Sequence, residues 1–321
     1  MYKPTSIDFS WGLSIIKHKI TLQIIDGPTS PSSLTAIAND DNHLYSADTS
    51  GRISFWKKPD FDNKKQVESQ SSTYLNSIFA DNEFLYGGTV WNDCSIKVYD
   101  PRKLELIQTL EGPLGTIFVF ASDDNYMFSG SGDSRVIIWD KKDWSEVGSV
   151  SGQRHFILSL AVDERFIFAG GIDDCINVFT RDDFSQIVSL EGHDANVLSL
   201  ATDERYLYSG SGELWWGGPG SPRPPEFESS VRVWDKKDWS CVAVLQGHTD
   251  NVNAVATDRK FIYSISDDST FRIYSKNDWH EVLCIDVDVV RIDAMTSDEK
   301  YVYIGCADGS VRRFSKADLM F

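Results

Sequence analysis

Val197-Leu-Ser-Leu-Ala201, Asp203-Glu-Arg205 and Tyr206-Leu-Tyr-Ser-Gly-Ser211 lie close together in the chain. After a Pro/Gly-rich excursion come Val231-Arg-Val-Trp-Asp235, Lys236-Lys-Asp-Trp-Ser240, Cys241-Val-Ala-Val-Leu245 and Gln246-Gly-His248. Four short runs rich in β-branched and aromatic residues alternate with polar turn clusters. This pattern predicts four consecutive antiparallel strands.

The rest of the chain repeats this stretch. The aromatic Tyr208 has counterparts at Tyr45, Tyr86, Phe128, Phe168, Tyr263 and Tyr303. Eleven residues before each stands an aliphatic: Leu34, Leu75, Ile117, Ile157, Val197, Val252 and Ile292, at spacings of 41, 42, 40, 40, 55 and 40. Four strands in about 40 residues is the period of a propeller blade. Seven anchors predict an all-β fold, a seven-bladed β-propeller with four antiparallel strands per blade.

The dipeptides Gly192-His193, Gly247-His248, Trp139-Asp140 and Trp234-Asp235 resemble the signatures of the WD-repeat β-propeller family. The resemblance covers residues 19–321, and the Lys-Lys-Asp-Trp-Ser turn is most similar to archaeal members. It implies a buried His, Ser, Asp and Trp network in each blade. Only parts of one are present: His248, Ser264 and Asp268 with Tyr274 in place of Trp; His193, Ser209 and Trp234 with Glu228 in place of Asp; Ser129, Asp133 and Trp139 with Pro113 in place of His. No network reads as complete, so packing is expected to carry the stability.

The last repeat, ending in Val311-Arg-Arg-Phe-Ser315 and Lys316-Ala-Asp-Leu319, supplies three strands. Residues 20–27 align with the fourth strand of the repeat at Val242. An N-terminal strand pairing with the C-terminal repeat is therefore expected to close the ring and remove an aggregation-prone edge. The expected organisation is an N-terminal extension, 1–18, either loose or docked through Trp11, and one domain over 19–321.

Each first strand carries a small third residue and a large fourth one, and each third strand ends in an aromatic, from Trp56 to Phe314. These read as core. The aromatics of the Asp-Trp-Ser turns (Phe61, Trp144, Phe184, Trp239, Trp279) recur once per repeat and read as packing.

The chain has 31 Lys and Arg against 48 Asp and Glu, a net charge of −17. That charge disfavours nucleic acid and anionic membrane as partners. Five cysteines without Cys-x-x-Cys spacing point to reduced thiols in a cytoplasmic protein. Two of the six histidines, His193 and His248, fall at the Gly-His position, and the Asp173-Asp174 and Asp267-Asp268 pairs fall in turns. No metal or cofactor is therefore expected. A hydrolase or lactonase-like propeller enzyme, the second reading, would have to work through Asn76, Asn253 and Asp293 at the central channel.

The main break in the period is an insertion, 213–228, between the second and third strands of its repeat; a smaller one around Trp91 occupies the same connection. The second residue of the first strand is apolar in three successive repeats (Phe118, Leu158, Leu198) and polar in the other four (Asn253, Asp293, Thr35, Asn76). This implies a channel mouth with an apolar arc. The insertion, with Trp215, Trp216, Arg223 and Phe227, either forms a groove there for a protein or peptide, or plugs the arc itself. The expected function is a monomeric, non-enzymatic interaction scaffold.

Overall fold

A computed structural model describes residues 22–26, 34–61, 64–71, 74–90, 92–152, 154–213 and 228–319. Twenty-eight strands form seven four-stranded sheets among them. Blade 1 holds β2 (Leu34–Asn39), β3 (His43–Asp48), β4 (Arg52–Lys57) and β5 (Lys65–Glu68). Blade 2 holds β6 (Leu75–Ala80), β7 (Leu85–Thr89), β8 (Ile96–Tyr99) and β9 (Leu106–Leu110). Blade 3 holds β10 (Ile117–Ser122), β11 (Tyr126–Ser131), β12 (Arg135–Asp140) and β13 (Glu146–Ser151). Blade 4 holds β14 (Ile157–Val162), β15 (Phe166–Gly171), β16 (Ile176–Thr180) and β17 (Gln186–Leu190). Blade 5 holds β18 (Asn196–Thr202), β19 (Tyr206–Gly212), β20 (Val231–Asp235) and β21 (Cys241–Leu245). Blade 6 holds β22 (Val252–Thr257), β23 (Phe261–Ser266), β24 (Thr270–Ser275) and β25 (Glu281–Asp286). Blade 7 joins β26 (Ile292–Ser297), β27 (Tyr301–Cys306) and β28 (Val311–Ser315) to β1 (Leu22–Asp26). The predicted closure is present: Leu22 pairs with Phe314 and Ile24 with Arg312, antiparallel. Residues 1–18 lie outside the described residues.

The first strands pack side by side around the axis, from β2 against β6 to β26 against β2. The aromatics ending the third strands are buried in every blade, as expected of sheets covered on both faces. The second-strand residue opposite the small third residue is itself kept small in blade 5 by the neighbour's shape. In blade 5 a Cβ placed on Gly210 would lie 2.5 Å from Ser199 Oγ and 2.7 Å from Val252 of the next blade. The aliphatic anchor of each blade thus needs a shallow seat on the blade before it.

All seven first strands carry a β-bulge between the anchor and the third residue. A bulge leaves the anchor's carbonyl outside the ladder. The preceding blade satisfies it at five junctions. Thr35 donates to Leu75 O (2.7 Å), Ser77 to Ile117 O (2.9 Å), Ser159 to Val197 O (2.8 Å), Ser199 to Val252 O (3.4 Å) and Asn253 to Ile292 O (2.8 Å). Asn76 also reaches Ile117 O, at 3.3 Å. The expected polar side of the mouth is therefore largely blade-to-blade bonding.

On the opposite face, the residue after the third strand reaches back one blade at six junctions. Lys58 contacts Asp298 (2.6 Å), Lys141 Asp81 (2.7 Å), Lys236 Asp163 (2.6 Å), Lys276 Asp203 (2.5 Å) and Lys316 Asp258 (3.3 Å); Arg181 pairs with Asp123. The same aspartates anchor the first hairpin turn, and four of them accept the Tyr hydroxyl of the second strand, as Asp203 does from Tyr208 at 2.7 Å. Lys276 also sits 5.0–5.1 Å over the Tyr208 ring, as Lys58 does over Tyr303. At the remaining junction Pro101 takes the cation's place, and the Tyr45 hydroxyl lies 2.6 Å from Asp40 and 3.0 Å from Pro101 O.

Burial pushes Asp81, Asp203 and Asp298 upward, but the lysine and the backbone N–H groups of the turn outweigh it and hold them below the ordinary carboxylate range. A carboxyl depressed on folding stabilises the fold above its unfolded value, about 3.9, and that contribution fades as pH falls toward the folded value. Replacing Lys276 with Met is expected to cost about 1–3 kcal/mol at neutral pH, because Asp203 loses its cation in a partly buried site. The deficit should narrow as pH falls below about 4 toward the depressed range in which wild-type Asp203 also protonates. Melting temperatures of wild type and Lys276→Met across that range measure it; a deficit that widens in acid contradicts the latch.

The turn between third and fourth strands places Phe61, Trp144, Phe184, Trp239 or Trp279 at a left-handed φ of 57–64°. Each packs on the preceding blade: Trp144 meets Phe84 at 4.8 Å, Trp239 meets Phe166 at 5.1 Å and Trp279 meets Tyr206 at 5.1 Å, all edge-on. Leu104, at φ 58°, and Leu319 take the same seat in blades 2 and 7, buried against Tyr45 and Tyr263 respectively. The packing reading holds, with two leucines that an aromatic search passes over.

Candidate partner-binding site

The loop ahead of each first strand and the loop between second and third strands share one face. The Gly-His histidines tie them together. His193 Nδ1 lies 3.2 Å from Glu228 Oε2, and its Nε2 lies 2.6 Å from Ser209 Oγ. Trp234 Nε1 donates to the same Oγ at 2.9 Å. With Trp234 donating to Ser209, the serine proton is left for His193 Nε2, which selects the Nδ1–H tautomer facing Glu228. Glu228 also accepts from Asp194 N (2.9 Å), Arg232 Nε (2.8 Å) and Ser230. Burial raises the Glu228 carboxyl, but His193, Ser230 and Asp194 N together hold it far below the usual range.

This corrects one expectation. Blade 5 has a complete network, because Glu228, at the position Asp268 holds in blade 6, bonds His193 and Asp194 N as that Asp bonds His248 and Thr249 N. The other two are partial, as expected. His248 bridges Asp268 (3.0 Å) and Ser264 (2.7 Å), and Trp139 Nε1 donates to Ser129 (2.9 Å) while Asp133 accepts from Leu114 N (2.9 Å). Glu228→Ala is expected to lower stability by about 2–3 kcal/mol, since it strips a buried His and a backbone N–H of a charged acceptor. Denaturant unfolding checks this; a change below about 0.5 kcal/mol means the network is not holding the loop.

Glu228 is also one foot of the insertion. The other foot is Glu213, whose N–H donates to Asn251 Oδ1 at 2.8 Å and whose carbonyl accepts from Asn251 Nδ2 at 3.2 Å. Both feet are thus clamped at the mouth, one on the next blade. Trp215, Trp216, Arg223, Phe227 and Trp91 lie outside the described residues.

Phe118, Leu158 and Leu198 occupy the bulge position of their strands and are half-buried. Leu158 and Leu198 line the upper channel wall. Phe118 stacks on Phe156 of the next blade, with centroids 5.7 Å apart and planes 24° apart, and Leu114 beside it is 81% exposed. Leu158 and Leu198 thus share one channel wall, and Phe118 packs on the blade that carries Leu158.

The channel below is walled by Ala, Val, Leu, Ile, Ser and Thr with Phe79, Phe120 and Met295, has Asn39 at its far end, and has neither carboxylate nor histidine among its lining residues. Of the polar candidates for chemistry, Asn76 and Asn253 bond the neighbouring backbone, and Asp293 takes Arg291 Nε at 2.5 Å. Among the described residues no three His, Cys, Asp or Glu side chains group as metal ligands, and no helix is long and apolar enough to cross a membrane.

Residues 104–140, 184–235 and 239–275 match the WD40 family (WD domain, G-beta repeat). These three segments are WD40 repeats, set within a seven-bladed β-propeller. A solved structure, the WD40 beta propeller domain of Doa1, superposes with a TM-score of 0.76 at 20% identity, over 92% of this chain and 97% of that one. That likeness establishes the shared fold. No curated protein matches the chain. WD40 propellers commonly serve as protein-interaction scaffolds, and the clamped insertion feet and apolar arc lie on one face of this one.

Proposed function

We propose that this WD40 propeller is a non-enzymatic scaffold, a cytoplasmic monomer whose Gly-His face binds a protein or peptide partner at the channel mouth. The observation that carries this reading is the clamped pair of insertion feet, Glu213 and Glu228, at the rim of an apolar arc. An insertion that adds no blade core yet is anchored at both ends is a presented loop. Phe118, Leu158 and Leu198 give apolar contact, and Trp215, Trp216, Phe227, Arg223 and Trp91 supply aromatic and cationic anchors from the two insertions. The propeller-enzyme alternative loses support, because Asn76, Asn253 and Asp293 are engaged in structural contacts.

The test compares capture from host extract by wild type, Leu158→Ser/Leu198→Ser and Trp215→Ser/Trp216→Ser. Proteins retained by wild type and lost by either variant, at unchanged melting temperature, are expected. Equal capture by all three sinks the assignment of the mouth. A lower melting temperature with unchanged capture in the tryptophan variant means that the insertion packs on its own propeller.

A further inference from the structure

The other side of the mouth differs in kind from the apolar arc. On the opposite face the first-hairpin aspartates each meet a lysine or arginine, with Asp40 the exception. At the mouth, Asp267 is held by neutral amides and Asp293 by a single exposed arginine. Asp267 accepts from Asn253 Nδ2 at 2.7 Å and Asn251 Nδ2 at 3.1 Å, and Asn251 in turn holds Glu213. Asp293 Oδ1 takes Arg291 Nε, while its Oδ2 is buried with no hydrogen-bond partner. Arg291 is itself half exposed. Asp174 belongs to the same arc, beside Glu213, Asp173 and Asp194.

Among the described residues, the carboxyls held above their ordinary range are Asp174, Asp267 and Asp293. Burial comes first in each; Glu213 and Asp173 add to it at Asp174, Asp250 at Asp267, and Asp267 at Asp293. At Asp267 and Asp293 this is negative potential that the exposed Arg291 only partly offsets, beside a hydrophobic surface. A bound cation would relieve it, and like-charged or neutral segments would not.

We propose that the mouth takes a partner segment carrying a lysine or arginine within a few residues of an aliphatic or aromatic side chain. The cation sits against Asp267 and Asp293, and the apolar side chain rests on Leu158, Leu198 and Phe118. This rests on the reading of the mouth as a peptide-binding face and names the chemistry it selects. Apolar contact supplies the buried area; the acidic side supplies the choice of partner and speeds encounter, in a salt-dependent way.

The experiment pans a random peptide library on purified full-length protein and measures the enriched consensus peptide by fluorescence anisotropy. Enriched peptides are expected to pair Lys or Arg with Leu, Ile, Phe or Trp. Binding should weaken about tenfold in Asp267→Asn/Asp293→Asn and on neutralising the cation, and should weaken with added salt in wild type more than in that variant. The Asn side chains keep the shape, and thermal melts confirm folding. Enriched peptides that are acidic or uncharged overturn the cationic preference while leaving a peptide-binding face. Cationic peptides unaffected by the Asp pair or by Leu158→Ser/Leu198→Ser overturn the location. No enrichment overturns this proposal, and loss of mouth-dependent capture from host extract is the separate result that would overturn the scaffold reading.

Discussion

Deleting residues 1–27 is expected to abolish cooperative melting or drive aggregation at temperatures where the intact protein is folded. The deletion removes β1, which pairs along β28 from Leu22↔Phe314 to Asp26↔Val311. It leaves blade 7 with three strands and an unpaired β28 edge. Val311 and Phe314 are buried, and Ile25 packs against the cluster that contains Val311. Exposing an edge strand next to a core invites pairing with another molecule. The ring is also the device that joins the first blade to the last, so losing closure affects both β26 and β2, which pack together. Calorimetry and light scattering on the truncated chain read the result. A single sharp transition within a few degrees of the parent would mean that the closing strand is dispensable.

Trp239→Ala is expected to cost about 3 kcal/mol, the scale for emptying a large aromatic site. Trp239 packs edge-on against Phe166 and Phe168 of the preceding blade and belongs to the cluster around Phe168, Val197 and Trp234. It also holds a left-handed backbone, φ 64°, that a side chain other than Gly adopts only under constraint. Truncation removes the packing and leaves the strained turn unsupported. Because the turn faces away from the insertion, peptide binding under folding conditions should persist. Chemical denaturation gives the stability change, and anisotropy with a mouth-binding peptide gives the affinity. Lost affinity with an unchanged unfolding midpoint would mean that this turn, not the mouth, is the recognition surface.

Blade count, strand order and closure were legible in the chain alone because they rest on local, repeated signals. The anchors at Leu34 through Ile292 recur at a near-constant period, and the N-terminal strand is the missing fourth member of a repeat. The apolar run Phe118, Leu158, Leu198 was legible for the same reason, since the equivalent position in every repeat can be compared.

What joins one blade to the next was not legible, because each junction pairs residues from different repeats. Lys276 and Asp203 look like solvated turn charges in the sequence; only the ring brings them to 2.5 Å across a blade boundary. The bulges that free Leu75 O and Ile292 O leave no mark on composition, yet they decide that Thr35 and Asn253 bond the neighbouring backbone and not a ligand. Leu104 and Leu319 fill an aromatic seat because the seat needs bulk against the preceding blade, not a ring. Glu228 completes the blade 5 network because the site needs a carboxylate within reach of His193 and Asp194 N, not an Asp; repeat spacing places Glu228 there, but only the contacts show that the longer side chain serves. Periodicity determined the blades. The contacts between blades, which depend on three-dimensional proximity across about 40 residues or more of chain, decided what the mouth exposes and what it keeps for itself.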